Sequence, residues 1–300
     1  MAGTLIRRTS PSTRIMGGSP ADRCKSDAPC LALKANSSVI SIGFPITTSK
    51  HVECQKIFFD WQVLMSVMST IAENIANVHE RIQRSAISAG RDPQSITLIA
   101  VSKTRPASAI RDAWAAGIQH VGENYLQEAL DKQAELKELP LTWHFIGPIQ
   151  SNKTKSIAEH FDWVHGVDRL KIAKRLSEQR PAELAPLNIC LQVNISREPS
   201  KSGVMPEDVA ALAAEIAALP NLVLRGLMAI PAPAEDSDGR RAPLKALHDC
   251  LAALPMPLDT LSMGMSDDLT EAVQEGATQV RIGTAIFGAR AAQPQHPEQG

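Results

Sequence analysis

Apolar and polar positions follow one repeating pattern along residues 91–290. Each unit has a short apolar run, then a polar or glycine break, then a stretch with helical spacing of its apolar residues. The runs are ITLIAVS (96–102), IQHVGE (118–123), LTWHFIG (141–147), DWVHGV (162–167), LNICLQVNI (187–195), LVLRGLMAI (222–230), LDTLSMGM (258–265) and QVRIGTAIFG (279–288). Strands that alternate with helices pair in parallel, because each crossover needs a helix.

The eight runs predict an α/β protein built as one closed (β/α)8 TIM barrel. An open doubly wound sheet is the alternative architecture. It is disfavoured because the count is eight and because no GxGxxG turn follows the first run.

An amphipathic segment precedes the eight runs and predicts an N-terminal helix. Its apolar stripe extends from Ile71 to Ile82. Ser69 is the predicted N-cap, and Gly90 is the predicted residue after the last turn.

Start and stop signals also mark the helices between the strands. Pro106 is predicted to be the first residue of a helix that ends before Gly117. Asp168 is predicted to cap the helix that follows the fourth strand. Ser266 is predicted to lie at the start of a helix that ends at Gly276.

Residues 1–64 differ in composition from the remainder of the chain. They are rich in Ser, Pro, Arg and Gly, and their acidic residues are Asp22, Asp27, Glu53 and Asp60. This composition is typical of a transit peptide, but it also fits a disordered extension or a mis-assigned start. We favour a disordered extension or a mis-assigned start over a transit peptide, because an amphipathic helix follows Met65 directly and a start there is natural. The predicted barrel domain is then 65–290, and 291–300 is a predicted flexible tail.

Charge and cysteine content narrow the class of protein. Lys and Arg number 31 against 32 Asp and Glu, so the charge balance does not favour nucleic acid or an anionic membrane as a partner. No apolar run approaches the roughly 18 residues that cross a bilayer. The five cysteines form no CxxC pair and have no histidine cluster at zinc spacing. We therefore expect a reduced, cytoplasmic protein without a structural metal.

The carboxyl ends of the strands are where a barrel of this type places its chemistry. Lys103 follows the first run. If it is partly desolvated there, its amine would have a lowered pKa and could form a Schiff base with an aldehyde. The alternative for Lys103 is an ordinary solvated loop lysine. Lys201, after the fifth run, is the competing amine, and it lies farther from its strand.

Two more polar residues belong to the second and third runs. Asn124 offers an amide at the mouth of the barrel, or it caps the following helix. His144 lies within its strand, so it is either a satisfied core histidine or a residue that flanks a flat ring.

The ends of the last two strands predict an anion site. Loops after strands 7 and 8 often hold phosphate in such barrels, and Ser266, Gly283 and Thr284 lie there. Arg281 shares the inward side of the strand with Gly283. With Lys103, these residues suit a flat phosphorylated aldehyde, namely pyridoxal 5′-phosphate (PLP).

Several longer motifs resemble those of a known family. The motifs are AVSKTRP, GENYLQEALDK, WHFIGPIQSNK, NISREPSKSG, RGLMAIP and LSMGMSDD with VRIGTAIFGAR. They resemble the pyridoxal phosphate homeostasis proteins, which are barrel-only relatives of alanine racemase. The resemblance covers roughly residues 65–290 and has no counterpart for residues 1–64.

The resemblance implies both a function and a set of site residues. The implied function is intracellular PLP homeostasis, by buffering or delivering the cofactor, with PLP-dependent apoenzymes as potential recipients. The implied roles are Schiff-base lysine for Lys103, pocket lining for Asn124 and His144, phosphate binding for Ser266, Gly283 and Thr284, and contact with the pyridine nitrogen for Arg281. One departure is EDSDGRRAPLKA (235–246), which is polar and proline-broken, and which we expect to form a mobile loop.

The same residues bear on whether the protein is an enzyme. Racemases of this barrel type resemble the chain but add a second domain that supplies a catalytic tyrosine. Two-base proton transfer needs an acid–base group on each face of the substrate. Here Tyr125 is the only tyrosine, and the chain ends soon after the eighth run. We expect a monomeric PLP carrier rather than an enzyme; a PLP-dependent racemase is the alternative, and a protein-binding scaffold is a third class.

Overall fold

The structure is a computed structural model that describes residues 32–35, 38–41, 70–199 and 201–289. The chain divides into two units, Met1–Met68 and Ser69–Gly300. In the first unit, β1 (Ala32–Ala35) pairs antiparallel with β2 (Ser38–Ser41).

Met65 and the predicted tail lie outside the described residues. The assignment of residues 1–64 as an extension or a mis-assigned start therefore stays a prediction.

Eight parallel strands form a closed barrel in the second unit, with the order β10-β3-β4-β5-β6-β7-β8-β9. The strands are β3 (Thr97–Val101), β4 (His120–Glu123), β5 (Thr142–Phe145), β6 (Trp163–Val167), β7 (Leu187–Gln192), β8 (Leu222–Met228), β9 (Thr260–Ser262) and β10 (Gln279–Ile282). Each lies inside one of the eight predicted runs, which confirms the TIM barrel. Because β10 pairs with β3, the open sheet is excluded.

Helices surround the strands and cover their apolar outer faces. They are α1 (Ile71–Ser88), α2 (Ala107–Ala115), α3 (Leu126–Glu135), α4 (Thr154–His160), α5 (Leu170–Gln179), α6 (Val209–Ala217), α7 (Ser237–Ala252), α8 (Leu269–Gln274) and α9 (Thr284–Phe287). The main core is a layer of buried aliphatic side chains that the strands share with these helices. Within the described part of the chain, no helix combines the length and the apolarity that a membrane crossing requires.

The N-terminal helix α1 is confirmed, although its cap differs from the prediction. Thr70, not Ser69, is the N-cap: its hydroxyl accepts from the Glu73 amide at 3.1 Å, and its own amide donates to Glu73 Oε2 at 2.8 Å. This reciprocal pair is a capping box. Gly90 follows the helix with a φ of 67°, as its predicted position requires.

Two other helix starts differ by one residue from the predictions. Pro106 is the N-cap of α2 rather than its first residue. Arg169 holds the cap position of α5, and Asp168 instead pairs with the Arg169 guanidinium at 2.6 Å. In both cases the helix exists as predicted, and only the boundary changes.

The prediction of a mobile loop at 235–246 is wrong, because α7 begins at Ser237. Asp236 caps this helix by accepting a hydrogen bond from the Gly239 amide at 2.6 Å. Only a narrow stripe of α7 is buried, at Leu244 and Leu247. A helix that buries so little can begin with polar residues, and its cap compensates for the internal Pro243.

Replacing Pro243 tests this account of α7. A proline in a helix interior lacks the amide that bonds to the carbonyl four residues earlier, and its ring crowds that carbonyl. We expect Pro243→Ala to raise the free energy of unfolding by about 1–3 kcal/mol in urea denaturation. Pro206→Ala is the control, because Pro206 is the first residue of a 3₁₀ turn and gives up no such bond. It should lower stability by less than about 1 kcal/mol; a matching decrease in Pro243→Ala would contradict the account.

Candidate functional site

A cavity of about 320 Å³ opens at the carboxyl end of the barrel strands. Six of the seven predicted site residues line it: Lys103, Asn124, Ser266, Arg281, Gly283 and Thr284. Val101, Ile146, Ile230 and Met265 provide apolar walls. A cavity with apolar walls and a few convergent polar groups is typical of a small-molecule site.

Closure of the barrel brings its first and last strands, β3 and β10, together at this cavity. In the β10–β3 ladder, Arg281 lies opposite Ile99 and Ile282 lies opposite Ala100. The next residue, Gly283, is so close to β3 that a Cβ added there would lie 3.3 Å from the Val101 carbonyl oxygen. Lys103 therefore faces the same space as the loop after β10.

Lys103 lies two residues beyond β3 and is partly buried. The competing amine, Lys201, lines a neighbouring cavity of about 280 Å³. Its Nζ lies 2.7 Å from Glu198 Oε1. Lys103 is thus the lysine that shares a cavity with Arg281 and with the loops after β9 and β10.

Arg281 is a buried cation at the base of the cavity, with 4% of its surface exposed. Its Nη1 donates to the carbonyl and hydroxyl oxygens of Ser262 at 2.6 and 2.7 Å, and its Nη2 donates to the Ala229 carbonyl at 2.8 Å. Burial lowers the pKa of Arg281 to about 10. The guanidinium therefore stays charged at neutral pH, and uncharged oxygens hold its orientation.

Asn124 directly follows β4 and borders both cavities. Its Oδ1 is buried and has no hydrogen-bond partner within the described part of the protein. The loop after β5 passes so close to it that a Cβ on Gly147 would lie 2.2 Å from the Asn124 carbonyl oxygen. Only glycine fits at position 147, and the amide of Asn124 is held at the cavity wall.

The loops after β9 and β10 bring the hydroxyl groups of the site together. Ser266 Oγ accepts from the Ala285 amide at 3.4 Å, in the first turn of α9. Thr284 is exposed at the start of α9, next to Gly283. An exposed carboxylate, Asp267, also lies on this rim.

His144 does not line the cavity, in contrast to the expectation from the resemblance. It is fully buried inside the barrel, where its Nε2 lies 3.0 Å from His120 Nδ1 and its Nδ1 lies 2.9 Å from His165 Nε2. His165 Nδ1 lies 2.7 Å from Ser262 Oγ, which also accepts from Arg281. We call His120, His144, His165 and Ser262 the histidine column. It links the Arg281 guanidinium to the amino end of β4.

The histidines of the column are held uncharged. Burial lowers the pKa of His165 to about 3, and the neighbouring Arg281 charge acts in the same direction. Burial also lowers the pKa of His144 well below its ordinary value, and the neighbouring His165 and His120 lower it further. Of the two interpretations that the sequence allows for His144, the structure agrees with a core histidine whose hydrogen bonds are satisfied.

A second buried network lies behind Lys103 and was not predicted from the sequence. Glu123, at the end of β4, and Lys132, on α3, form an ion pair of 2.7 Å with 0% and 5% of their residue surfaces exposed. The signal was a glutamate inside an apolar run, followed nine residues later by a lysine on the predicted helix. Burial raises the pKa of Glu123, and the hydrogen bonds from Lys132 and Ser102 oppose that change.

The described residues contain no group of three or more His, Cys, Asp or Glu side chains that could hold a metal ion. The donors at the cavity are instead an amine, a guanidinium, an amide and hydroxyls. This set suits an anionic organic molecule that carries an electrophilic carbon.

Comparison with protein families gives a match over most of the chain. The family model for the alanine racemase N-terminal domain matches residues 68–291. The pyridoxal phosphate homeostasis protein of Pseudomonas aeruginosa is 67% identical over 223 residues, which cover 74% of this chain and 97% of that protein. The protein of the same name from Escherichia coli K12 is 53% identical over 229 residues, covering 74% and 98%.

Solved structures give a consistent result. PipY of Synechococcus elongatus, solved with PLP bound, is 41% identical with a TM-score of 0.62 and covers 70% of this chain and 100% of its own. Alanine racemase of Corynebacterium glutamicum is 18% identical with a TM-score of 0.51, covering 73% and 63%. At that identity the second similarity shows the shared fold alone.

The uncharged histidine column predicts how stability depends on pH. Below about pH 6.5 the unfolded chain binds protons at these histidines that the folded chain does not bind. The contribution of the histidines to the free energy of unfolding is therefore complete above that pH and is lost progressively as the pH falls toward about 3. In urea denaturation, His165→Asn should reduce the loss between pH 6 and 4 by about 1.4 kcal/mol per pH unit. The control is His160→Asn on the exposed side of α4, which should keep the wild-type slope. Equal slopes for all three proteins would contradict the assignment.

Proposed function

The chain belongs to the pyridoxal phosphate homeostasis protein family, and on that premise we propose that it binds PLP as a Schiff base on Lys103 and buffers or delivers the cofactor. The observation that carries the proposal is that Lys103 and Arg281 line one cavity with Ser266, Gly283 and Thr284. These residues come from opposite ends of the barrel sequence and meet through closure of the sheet.

The cavity fits a flat phosphorylated aldehyde in shape and in chemistry. The apolar side chains of Val101, Ile146, Ile230 and Met265 can cover the faces and edges of a ring. The buried Oδ1 of Asn124 is an acceptor that a bound molecule can satisfy. Ser266 and Thr284 provide hydroxyl donors, and Gly283 lets a phosphate approach the backbone closely.

PLP supplies an aldehyde that a primary amine can capture covalently. Lys103 would use the lone pair of its uncharged Nζ to form the C=N bond, and the aldehyde oxygen would leave as water. The two hydrogens of the amine would leave with that oxygen, and hydrolysis of the C=N bond would return the free amine and the aldehyde. Reversible capture is the property that a carrier needs.

Arg281 is proposed to face the pyridine nitrogen. Its charge is retained at neutral pH, and its donors are oriented by Ser262 and Ala229. A cation at that position discourages protonation of the ring nitrogen, which makes the ring a poorer electron sink. Carbanion chemistry is then less favoured than it would be with an aspartate partner, which is consistent with a carrier.

The acid–base groups around the cavity support the same choice. Two-base proton transfer needs a group opposite the lysine. Tyr125 is 57% exposed and does not line the cavity, and Asp267 lies on the solvent side of the rim. His144 is uncharged and lies inside the barrel. A racemase remains the alternative function, since Asp267 is a carboxylate at the cavity.

The proposal extends to the cellular setting of the protein. The relatives' names place them in PLP homeostasis, and delivery to PLP-dependent apoenzymes would follow from that function. Cys190 and Cys250 carry free thiols, which is consistent with a reducing cytoplasm. We propose that the protein acts there as a monomer.

Trapping the bond tests the role of Lys103. We expect wild-type protein mixed with PLP to absorb visible light, and borohydride reduction to fix one pyridoxyl group to Lys103 in peptide mass spectra. Lys103→Ala should lose the visible band and bind PLP roughly tenfold or more weakly. Lys201→Met is the matched control and should keep the label. A label on another lysine in wild-type protein would refute the assignment.

Incubation with single-enantiomer amino acids separates the carrier from the racemase. We expect L-alanine to stay unchanged in the presence of the PLP-loaded protein, as measured by chiral chromatography, because among the described residues Asp267 is exposed at the rim and Tyr125 lies outside the cavity. Inversion that Asp267→Asn abolishes would establish the racemase and would assign its second base.

A further inference from the structure

Both residues that flank Lys103 are held by one buried ion network, and we propose that this network positions Lys103 for capture of the aldehyde. The proposal rests on the proposed function, since it concerns the same bond. We call the network the Lys103 clamp, and its members are Ser102, Thr104, Glu123, Glu128 and Lys132.

Lys132 is the centre of the clamp. Its Nζ donates to the Ser102 carbonyl oxygen at 2.7 Å, to Glu123 Oε1 at 2.7 Å and to Glu128 Oε1 at 2.6 Å. An ammonium group has three hydrogens, so all of its donors are used within the clamp. With 5% of its surface exposed, Lys132 has no role as a solvated surface charge.

The two carboxylates extend the network to the residues on either side of Lys103. Glu123 Oε1 accepts from the Ser102 hydroxyl at 2.5 Å. Glu128 Oε1 accepts from the Thr104 amide at 2.5 Å. Residues 102 and 104 are therefore both anchored, and Lys103 lies between them, one Cα step of about 3.8 Å from each.

Thr104 adopts a backbone conformation that needs such an anchor. Its φ is 64°, in the left-handed region that a β-branched residue rarely enters. A conformation of this kind persists only where the surrounding structure constrains it, and such residues cluster at ligand sites. The hydrogen bond from the Thr104 amide to Glu128 is the local constraint. The turn that it stabilises directs the backbone of Lys103 at the end of β3.

A buried ion network is better suited to fixing the position of Lys103 than to raising the stability of the fold. A buried ion pair contributes little net stability compared with apolar side chains of the same volume, but it specifies one geometry. Glu128 and Lys132 are one helical turn apart on α3, so the helix carries both groups to the loop. The clamp thus joins α3 to the loop after β3 at the residue that we propose as the Schiff-base lysine.

Glu128→Ala is the variant that tests the clamp. Glu128 is partly exposed, so its loss leaves the Glu123–Lys132 pair intact and the fold preserved. We expect the rate of visible-band formation with PLP to fall at least about tenfold, which corresponds to about 1.4 kcal/mol in the barrier. The affinity for pyridoxine 5′-phosphate, which has no aldehyde, should stay within about twofold, measured by calorimetry. If Glu128 acted only through general stability, its loss would lower the rate with PLP and the affinity for pyridoxine 5′-phosphate together.

Two variants provide the comparison. Glu128→Gln keeps an oxygen that can accept from the Thr104 amide, so it should restore most of the rate. Glu135→Ala removes an exposed carboxylate from the same helix and should behave as wild type.

Hydrogen exchange of the cofactor-free protein gives a readout that does not depend on PLP. The Thr104 amide should exchange at least about tenfold faster in Glu128→Ala than in wild type or Glu128→Gln. Wild-type capture rates in Glu128→Ala, equal losses for both ligands, or unchanged Thr104 exchange would each overturn the clamp. If wild-type protein carries no label on Lys103, the proposed function fails, and the exchange result still decides whether the clamp holds the turn.

Discussion

The pairing of β10 with β3 is the constraint on which the rest of the site depends. Lys103 and Gly283 are 180 positions apart in the sequence, and no local signal brings them together. Parallel hydrogen bonding of Arg281 beside Ile99 and of Ile282 beside Ala100 closes the sheet and sets their separation. The absent Cβ of Gly283 then permits the loops to approach. The cavity is therefore a product of closure, and a change that opened this seam would remove the site without touching a ligand-binding side chain.

Two polar networks accompany the cavity, and they differ in their electrostatics. The histidine column is uncharged and holds the Arg281 guanidinium by way of Ser262. The Lys103 clamp is ionic and holds backbone groups by way of Lys132. Each lies next to one of the two basic side chains of the cavity, Arg281 and Lys103. The protein thus devotes buried polar groups, which are costly to leave unsatisfied, to the orientation of one amine and one guanidinium.

The sequence predicts the barrel, all eight strands and six of the residues that line the cavity, because periodicity and strand ends are local signals. Three kinds of information are not local. The alternation of a strand shows that His144 faces inward but not how deep it lies along the barrel axis. Glu123 and Lys132 appear as separate charges until α3 packs against the strand. The polar start of α7 resembles a loop in sequence because few of its residues are buried and because it contains Pro243. The helix forms nonetheless, with Asp236 as its cap.

The histidine column also has a direction. Ser262 Oγ accepts a hydrogen from Arg281, so its own hydrogen is available for His165 Nδ1. When Ser262 donates that hydrogen, His165 carries its proton on Nε2 and donates to His144 Nδ1, and His144 donates in the same sense to His120. All three rings thus share one tautomer, and their bond dipoles add along the column. One ring cannot invert alone, because two donors or two acceptors would then face each other. Reversal moves a proton across every link, so one proton must leave at His120 and one must enter at Ser262 for the net charge of the barrel interior to stay unchanged.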